Sequence, residues 1–306
     1  MRDARRGDMR VDVVIVGGGP AGLSAALVLG RCRRDVIVFD DGRYRNARSR
    51  LLNGFLTRDG SDPGELRQIA RAELVRYPTV RIRTESITDA HRRDERFIVI
   101  TSEGEQVEST ALLLATGFVD TRPHIAGVAE LHGELVVPCP YCDAFEVADQ
   151  PLAAFSHPDE RGAKFALVVA NWSRDVVFCA SRRPQLGDDM RRRLAARGVH
   201  VEERELKAVA RDADGVRLHF AEGNSMWRRM MFYHLGGKPA SALAEHVGAK
   251  IDPVHGVEVT RRQQSSIPGL FVAGDATRDV LQAIVAAGEG SAAAVCINEY
   301  LCERTE

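Results

Sequence analysis

The stretch Val11–Gly22, which reads VDVVIVGGGPAG, decides the fold of this 306-residue chain. Its first half, Val11–Val16, is too apolar for a strand with one exposed face and predicts a buried strand of a parallel sheet. Glycine at the three positions of GxGxxG allows a tight turn, close approach of backbone to a pyrophosphate, and close contact between helix and strand. The turn residues predicted to bind a dinucleotide cofactor are Gly17, Gly19, Pro20, Ala21 and Gly22.

A second strand and an acid complete this unit. Val36–Phe39 is apolar and leads into Asp40. An acid at this place in a dinucleotide-binding fold accepts hydrogen bonds from the ribose hydroxyls of an adenosine. Asp40 is therefore predicted to hold the ribose, and the alternative is that Asp40 or Asp41 is a turn aspartate ahead of Gly42.

Two later strands also end in small residues. Ala111–Leu114 and Gly269–Ala273 are predicted strands, and a helix rich in alanine and glycine is predicted for 282–300. Small residues at a strand end let backbone pass close to a cofactor, although the first triplet can also be plain packing. The candidate residues at these two ends are Ala115, Thr116, Gly117, Gly274 and Asp275.

The sequence CPYCD at 139–143 carries the reactive groups. Two cysteines separated by two residues can close a disulfide through a tight turn, and one thiol of such a pair commonly has a lowered pKa. The alternative is half of a zinc site, but the other four cysteines show no second pair, so no metal site is predicted. Asp143 is predicted to protonate a departing thiolate if burial raises its pKa, and alternatively to cap a short helix.

Composition narrows the partners and the compartment. Forty-two basic and 43 acidic side chains leave a formal charge of -1, so neither nucleic acid nor a membrane surface is indicated as a partner. The chain has no signal-like apolar segment and no apolar run near the roughly 18 residues that span a bilayer. With only six cysteines, this pattern predicts a cytoplasmic protein.

These motifs, in this order, resemble the low-molecular-weight thioredoxin reductases over about residues 11–301. The carriers of the resemblance are GGGPAG at 17–22, ATG at 115–117, CPYCD at 139–143, GLFVAGDA at 269–276 and AAGEGSAAA at 286–294. The stretches 45–47 and 54–60 resemble a subgroup that includes the dithiol oxidases of gliotoxin and holomycin biosynthesis.

The resemblance implies a bound FAD and a homodimer. Cys142 would face the flavin, while Cys139 would exchange with the substrate, a thioredoxin-like protein or a small dithiol or disulfide. Besides the glycine turn, the implied FAD-binding residues are Asp40 at the ribose, Asn46, Asp275 at the ribityl chain, and Gln282 and Ala283 beside the isoalloxazine.

The resemblance also implies an α/β fold with two dinucleotide-binding-like, Rossmann-type domains, the second inserted into the first. The FAD domain is expected at 1–118 and 244–306. An inserted NAD(P)-binding-like domain that carries the dithiol is expected at 119–243. Within it, a strand at 152–155, a helix at 162–172 and a strand at 176–180 are predicted.

The nucleotide turn of the inserted domain is degraded. Residues 155–162 read FSHPDERG, without GxGxxG or GxGxxA. Side chains here would keep a pyrophosphate off the backbone, and Asp159 and Glu160 would themselves cap the helix start where a phosphate should bind. Arg182 and Arg183 fall where a 2′-phosphate would lie, but adjacent arginines after a strand are ordinarily surface residues. NADPH binding is therefore predicted to be degraded or absent.

The source or sink of electrons stays open. The sequence is compatible with a reductase fed by another donor, a dithiol oxidase that uses oxygen, an NADPH reductase with an altered pocket, or a flavin redox sensor. In the dithiol oxidases histidines beside the CxxC serve as base, whereas this chain has Pro138 and Asp143. His124 and His132 lie upstream and are the other candidate bases.

Overall fold

The chain divides into two compact units. The computed structural model describes residues 9–252, 256–277 and 280–304. The first unit comprises Met1–Ala47, Phe55–Val119 and Lys238–Glu306, and the second comprises Arg48–Gly54 and Asp120–Gly237.

The helices and strands are numbered in chain order. Up to the second unit they are β1 Met9–Val16, α1 Pro20–Arg31, β2 Val36–Phe39, α2 Pro63–Leu74, β3 Val80–Arg83, β4 Ile87–Arg93, β5 Arg96–Thr101, β6 Gln106–Leu114 and β7 Phe118–Asp120. Those that follow are α3 Val128–Leu131, β8 Val136–Val137, α4 Pro140–Asp143, β9 Leu152–Ser156, α5 Glu160–Val169, β10 Val176–Cys179, α6 Asp188–Ala196, β11 Val199–Val201, β12 Leu206–Asp212, β13 Gly215–Phe220, β14 Met226–Arg228 and β15 Met230–His234. The last are β16 Gly237–Pro239, α7 Leu243–His246, β17 Ile251–Asp252, β18 Gly256–Val257, β19 Leu270–Val272 and α8 Ala283–Cys302.

A seven-stranded sheet forms the centre of the first unit. Its order is β3-β2-β1-β6-β5-β4, with β19 also paired to β6. β1 runs parallel to β2 and β6, with Val13 opposite Val36 and Ala111, and β19 runs parallel to β6. Because the carboxyl ends of parallel strands meet at one edge, the loops after β1, β2, β6 and β19 come together there.

Both faces of this sheet are covered, as the apolar sequence of β1 predicts. Val13 and Ile15 belong to the core shared with α1 and α8, whereas Val14 belongs to the opposite core, which includes Leu243 of α7. The three β1 side chains are fully buried. Burial of each favours folding by roughly 1.5–3 kcal/mol, so β1 anchors the glycine turn that follows it.

Five parallel strands form the main sheet of the second unit, in the order β11-β10-β9-β15-β8. β12, β13 and β14 form a separate antiparallel sheet. Val137 of β8 pairs with Phe232 of β15 and is buried. This pairing fixes the chain immediately before the two cysteines.

The predicted α/β class is confirmed by these two sheets, whose central strands are parallel, and by their helices. The strands predicted at 152–155 and 176–180 correspond to β9 and β10, while the helix predicted at 162–172 runs from Glu160 to Val169. Within the described ranges, no helix is both long and apolar enough to cross a membrane.

Candidate active site

The glycine turn of the first unit leads into an uncapped helix start. α1 has Gly19 as its N-cap and Pro20 as its first residue. Within the described part of the chain, no side chain caps this end, and the first turn holds no acid. The free backbone N–H groups and the positive end of the helix dipole are therefore open to an anion.

The three glycines of the motif differ in what a side chain would meet. A Cβ on Gly17 would lie 2.2 Å from the carbonyl oxygen of Ala115, and one on Gly22 would lie 1.9 Å from that of Gly17. Both positions need glycine for packing. A Cβ on Gly19 would meet no described atom within 4 Å. Gly19 thus leaves the open space beside the helix start that close approach of a pyrophosphate requires.

Asp40 is buried at the end of β2, and its carboxylate is well bound. Oδ2 accepts hydrogen bonds from the Tyr44 hydroxyl and the Arg71 guanidinium, and Oδ1 accepts one from the N–H of Gly42 at 3.1 Å. Arg71 supplies the positive charge that a buried carboxylate requires. The bond to Gly42 shows that Asp40 is also a turn aspartate, which was the alternative drawn from the sequence.

Tyr44 and Asn46 belong to the same cluster. Burial and the bond to Asp40 raise the pKa of Tyr44, so its hydroxyl remains a donor. The Arg67 guanidinium lies 3.9 Å from the centre of the Tyr44 ring and donates to Oδ1 of Asn46 at 3.2 Å. Asp40 and Asn46, both predicted from the sequence, are thereby linked through Tyr44 and Arg67.

The triplet after β6 packs against the glycine turn. The N–H of Ala115 donates to the carbonyl of Val16 at 2.8 Å. Gly117 has a φ of 77° and accepts a hydrogen bond from the N–H of Ala240 at 3.0 Å. Ala115 therefore has the packing role that the sequence allowed for this triplet. Thr116 lies between Ala115 and Gly117, whose backbones are both held by hydrogen bonds.

The loop after β19 is fixed by an acid from α8. The N–H of Gly274 donates to Oε2 of Glu289 at 2.6 Å. The carboxylate of Asp275 lies 3.7 Å from the guanidinium of Arg45, which also donates to the carbonyl of Leu281 at 3.2 Å. Arg45 thereby connects the loop after β2 to the loop that precedes α8.

The start of α8 is a second uncapped helix end in the first unit. Gln282 is its N-cap and Ala283 is its first residue. Among the described residues, no side chain caps this end and its first turn contains no acid. Gln282 and Ala283 thus also leave backbone N–H groups open to a ligand.

Cys139 and Cys142 form a disulfide in the second unit, with their Cα atoms 5.3 Å apart. Cys139 is the N-cap of α4, and Pro140 is its first residue, a position that proline favours because no N–H is needed there. Asn53 donates its Nδ2 to the carbonyl of Cys142 at 2.8 Å. The segment 48–54 therefore supports the dithiol turn.

Aromatic side chains lie beside the disulfide. Tyr141 is 65% exposed and Phe145 is 80% exposed. The Tyr141 ring meets the Trp172 ring edge-on, with centroids 5.5 Å apart. Exposed aromatic side chains therefore lie on both sides of Cys142 in the sequence.

The interpretation of Asp143 as a helix cap is wrong. Asp143 is the last residue of α4, and the short 3₁₀ turn Phe145–Val147 has Ala144 as its N-cap. The reason is that Pro140 starts the helix early, so Asp143 lies inside it. Of the two upstream histidines, His124 is exposed, and Nε2 of His132 lies 3.0 Å from the hydroxyl of Tyr233.

The corresponding helix start of the second unit is closed by its own acid. Asp159 is the N-cap of α5 and accepts hydrogen bonds from the N–H groups of Arg161 at 2.9 Å and Gly162 at 3.4 Å. The Arg161 side chain, more than any other group, lowers the pKa of Asp159, so the carboxylate is ionised at neutral pH. At the start of α5, a negative charge therefore occupies the position that is open at the start of α1.

Arg183 forms an ion pair with an acid of the same unit. Its Nε lies 2.9 Å from one carboxylate oxygen of Glu203, and Arg191 binds the other oxygen at 2.6 Å. The hydrogen bond from Arg183 is the largest of the effects that lower the pKa of Glu203. Part of the positive charge that would attract a 2′-phosphate is thus compensated.

Several residues of these sites were not predicted from the sequence, and Glu289, Asn53 and Arg71 are examples. Glu289 had a signal, since it is an acid within the small-residue stretch AAGEGSAAA. Asn53 and Arg71 had none, because their partners lie 89 and 31 residues away along the chain.

Comparisons with known proteins agree with this arrangement. The family model for pyridine nucleotide-disulphide oxidoreductases matches residues 11–290. Thioredoxin reductase tcpT of Claviceps purpurea is 32% identical over 276 residues, covering 87% of this chain and 86% of the relative. An oxidoreductase from Agrobacterium tumefaciens has a TM-score of 0.91 at 30% identity, over 97% of this chain and 100% of that chain. The structure of HlmI has a TM-score of 0.87 at 33% identity, over 99% and 95%. The predicted resemblance and the fold with two Rossmann-type domains are confirmed.

Proposed function

Since the chain belongs to the pyridine nucleotide-disulphide oxidoreductase family, an FAD-dependent class of enzymes, we propose that it moves two electrons between FAD and a substrate through Cys139 and Cys142. The substrate is a disulfide or dithiol on a thioredoxin-like protein or a small molecule. The name of the tcpT relative supports a thioredoxin-type partner.

The residues of the first unit suit FAD. The open helix start at Gly19 would receive the pyrophosphate, and a carboxylate with about four acceptor sites, three of them used, leaves Asp40 one site for a ribose hydroxyl. When bound, FAD supplies an acceptor or donor of two electrons. The other residues that would hold it are Gly17, Pro20, Ala21, Gly22, Asn46, Ala115, Thr116, Gly117, Gly274, Asp275, Gln282 and Ala283.

The dithiol chemistry follows from the disulfide. A substrate thiolate attacks Sγ of Cys139, the Cys139–Cys142 bond breaks, and Cys142 leaves as a thiolate. The second substrate thiolate then attacks the substrate sulfur of the mixed disulfide. Cys139 leaves, the substrate departs as a disulfide, and both cysteines are reduced. The reverse sequence reduces a substrate disulfide.

Asp143 would supply the proton for a departing thiolate. It follows Cys142 directly and is half-buried at the end of α4. A protonated carboxyl group beside a leaving sulfur neutralises the charge that develops on it.

The contrast between two helix starts carries the proposal that NADPH is not the ordinary donor. α1 is uncapped and has no acid in its first turn, whereas Asp159 caps α5 and Glu160 follows it. A pyrophosphate at α5 would have to displace an ionised carboxylate from two backbone N–H groups. The same observation favours a second candidate, oxidation of a small dithiol with oxygen as the acceptor.

The chain is further proposed to act as a cytoplasmic homodimer. Four described cysteines lie outside the disulfide, which suits a reducing compartment. The homodimer follows from the family resemblance.

Anaerobic reduction by dithiothreitol tests the proposed route. Flavin absorbance should bleach in the wild type, while Cys139→Ser and Cys142→Ser should each slow the bleaching at least about 100-fold, because one nucleophile or leaving group is gone. Cys32→Ser, an exposed cysteine outside the disulfide, is the matched control and should behave as the wild type. Unchanged bleaching in Cys142→Ser would refute the route. Turnover with oxygen would separate an enzyme from a redox sensor, which exchanges only once.

A further inference from the structure

The first unit contains a cavity. Pro20 is its only described lining residue that is also proposed to hold FAD. The cavity has a volume of about 210 Å³ and is partly open to solvent. One face of α1, one face of α2, the loop 55–58 and Ala287 of α8 line it. Its larger apolar lining side chains are Leu23, Leu27, Phe55, Leu66 and Ile69.

The size and walls of this cavity define the kind of molecule it can hold. An apolar cavity of about 150 Å³ accommodates benzene, so this one has room for a fused or substituted ring. Binding sites for small molecules combine apolar walls with a few polar groups that fix orientation.

Arg58 is the polar group that selects charge. It is half-buried at the cavity, and its Nη1 donates to the backbone carbonyl of Thr57 at 2.8 Å. Within the described residues, no carboxylate lies within 4.0 Å of its guanidinium nitrogens. A half-buried cation without a counter-ion is stabilised by an anionic ligand.

The other charged groups at the cavity are less suited to that role. Arg67 directs its guanidinium to Tyr44 and Asn46. Glu73 is exposed, so solvent screens its charge.

The loop that carries Arg58 has an unfavourable backbone. Thr57 has a φ of 74°, a left-handed conformation that a β-branched residue seldom adopts. Such conformations occur where the surrounding structure fixes a residue for binding. Leu56, the residue before Thr57, is 80% exposed and does not line the cavity, so within this loop Phe55, Thr57 and Arg58 form the wall.

We propose that this cavity binds a small organic anion with an aromatic or other apolar ring, its ring between α1 and α2 and its anionic group at Arg58. The site is independent of the dithiol reaction, so it can be tested whether or not the proposed function holds.

Calorimetric titration of the FAD-loaded protein with 2-naphthoate and with uncharged 2-naphthamide tests the proposal. The carboxylate should bind about tenfold more tightly than the amide, as a charge-assisted hydrogen bond predicts. Arg58→Gln should remove this preference. Arg76→Gln, an exposed arginine just beyond α2 that does not line the cavity, should retain it.

Variants that fill the cavity with a larger side chain are the second test of the proposal. Ala70→Phe, on the lining face of α2, should abolish binding of both probes, whereas Ala72→Phe, on its exposed face, should not. Ser24→Phe on α1 serves if Ala70→Phe loses its flavin or its cooperative melting. No binding of either probe to the wild type, or wild-type binding by the filled variants, would overturn the proposal. So would a loss of dimer in Ala70→Phe, since a second copy would then occupy the cavity.

Discussion

The carboxylate of Asp159 binds Arg161 twice, through its backbone N–H at 2.9 Å and through its guanidinium, whose Nη2 lies at 2.8 Å. This pair closes the helix start of α5 with a charge of the same sign as a phosphate. The first unit has glycine at the corresponding place. The two helix starts within one chain therefore differ in the property that decides nucleotide binding.

Gly19 and Gly22 should respond differently to a methyl group. Gly19→Ala should leave the thermal unfolding of the flavin-free protein unchanged, because its Cβ would enter open space, but should lower the flavin content. Gly22→Ala should destabilise the flavin-free protein by about 1–3 kcal/mol, because its Cβ would collide with backbone. Flavin-to-protein ratio and melting temperature are the measurements. Equal flavin content in Gly19→Ala and the wild type would count against a pyrophosphate at this turn.

Replacement of Asp143 by Asn should slow flavin bleaching by dithiothreitol about 100-fold, the lower range for loss of a general acid. The amide keeps the shape of the side chain and removes its acidic proton. Rapid mixing under anaerobic conditions measures the rate. Glu146→Gln, an exposed acid just after α4, is the control and should be neutral. A wild-type rate in Asp143→Asn would exclude the acid role.

Asn53→Ala should destabilise the second unit by about 0.5–1.5 kcal/mol, the usual worth of one hydrogen bond. The lost bond is the one from Nδ2 to the carbonyl of Cys142. Chemical denaturation measures the change, and Asn171→Ala, at an exposed asparagine, should have a smaller effect. If Asn53→Ala and Asn171→Ala lowered the free energy of unfolding equally, the hydrogen bond from Asn53 to Cys142 would not stabilise the second unit.

Cys179 should make stability fall at high pH. Burial raises the pKa of Cys179 to about 12, from an ordinary value of 9.0. The unfolded chain releases this proton first, so the free energy of unfolding decreases as pH rises from 9.0 towards 12. Cys179→Ala should flatten this part of the pH profile, and Cys302→Ala, at an exposed thiol, should not. Identical slopes for the wild type and Cys179→Ala would contradict the assignment.

Local sequence patterns predicted the parts of the fold that depend on local chemistry. The apolar run of β1 predicted a strand buried on both faces, and Asp159 was correctly predicted to cap α5, because strand burial and helix capping depend on neighbouring residues. The cap proposed for Asp143 was wrong, because Pro140 is as strong a start signal and comes first.

Long-range partners could not be predicted. Asp40 was predicted, but its pairing with Arg71 was not, since the two residues are 31 positions apart and meet only in the tertiary structure. Asn53 likewise meets Cys142 only through the packing of segment 48–54 within the second unit. No local spacing encodes either contact.

Flavin reduction by NADPH and by dithiothreitol, compared anaerobically on one preparation, tests the central claim most directly. We expect a yellow protein that dithiothreitol bleaches and that NADPH at micromolar concentration leaves oxidised. Rapid bleaching by NADPH would show that the Asp159 cap does not exclude the nucleotide, and failure of the dithiol to bleach the flavin would refute electron transfer through Cys139 and Cys142.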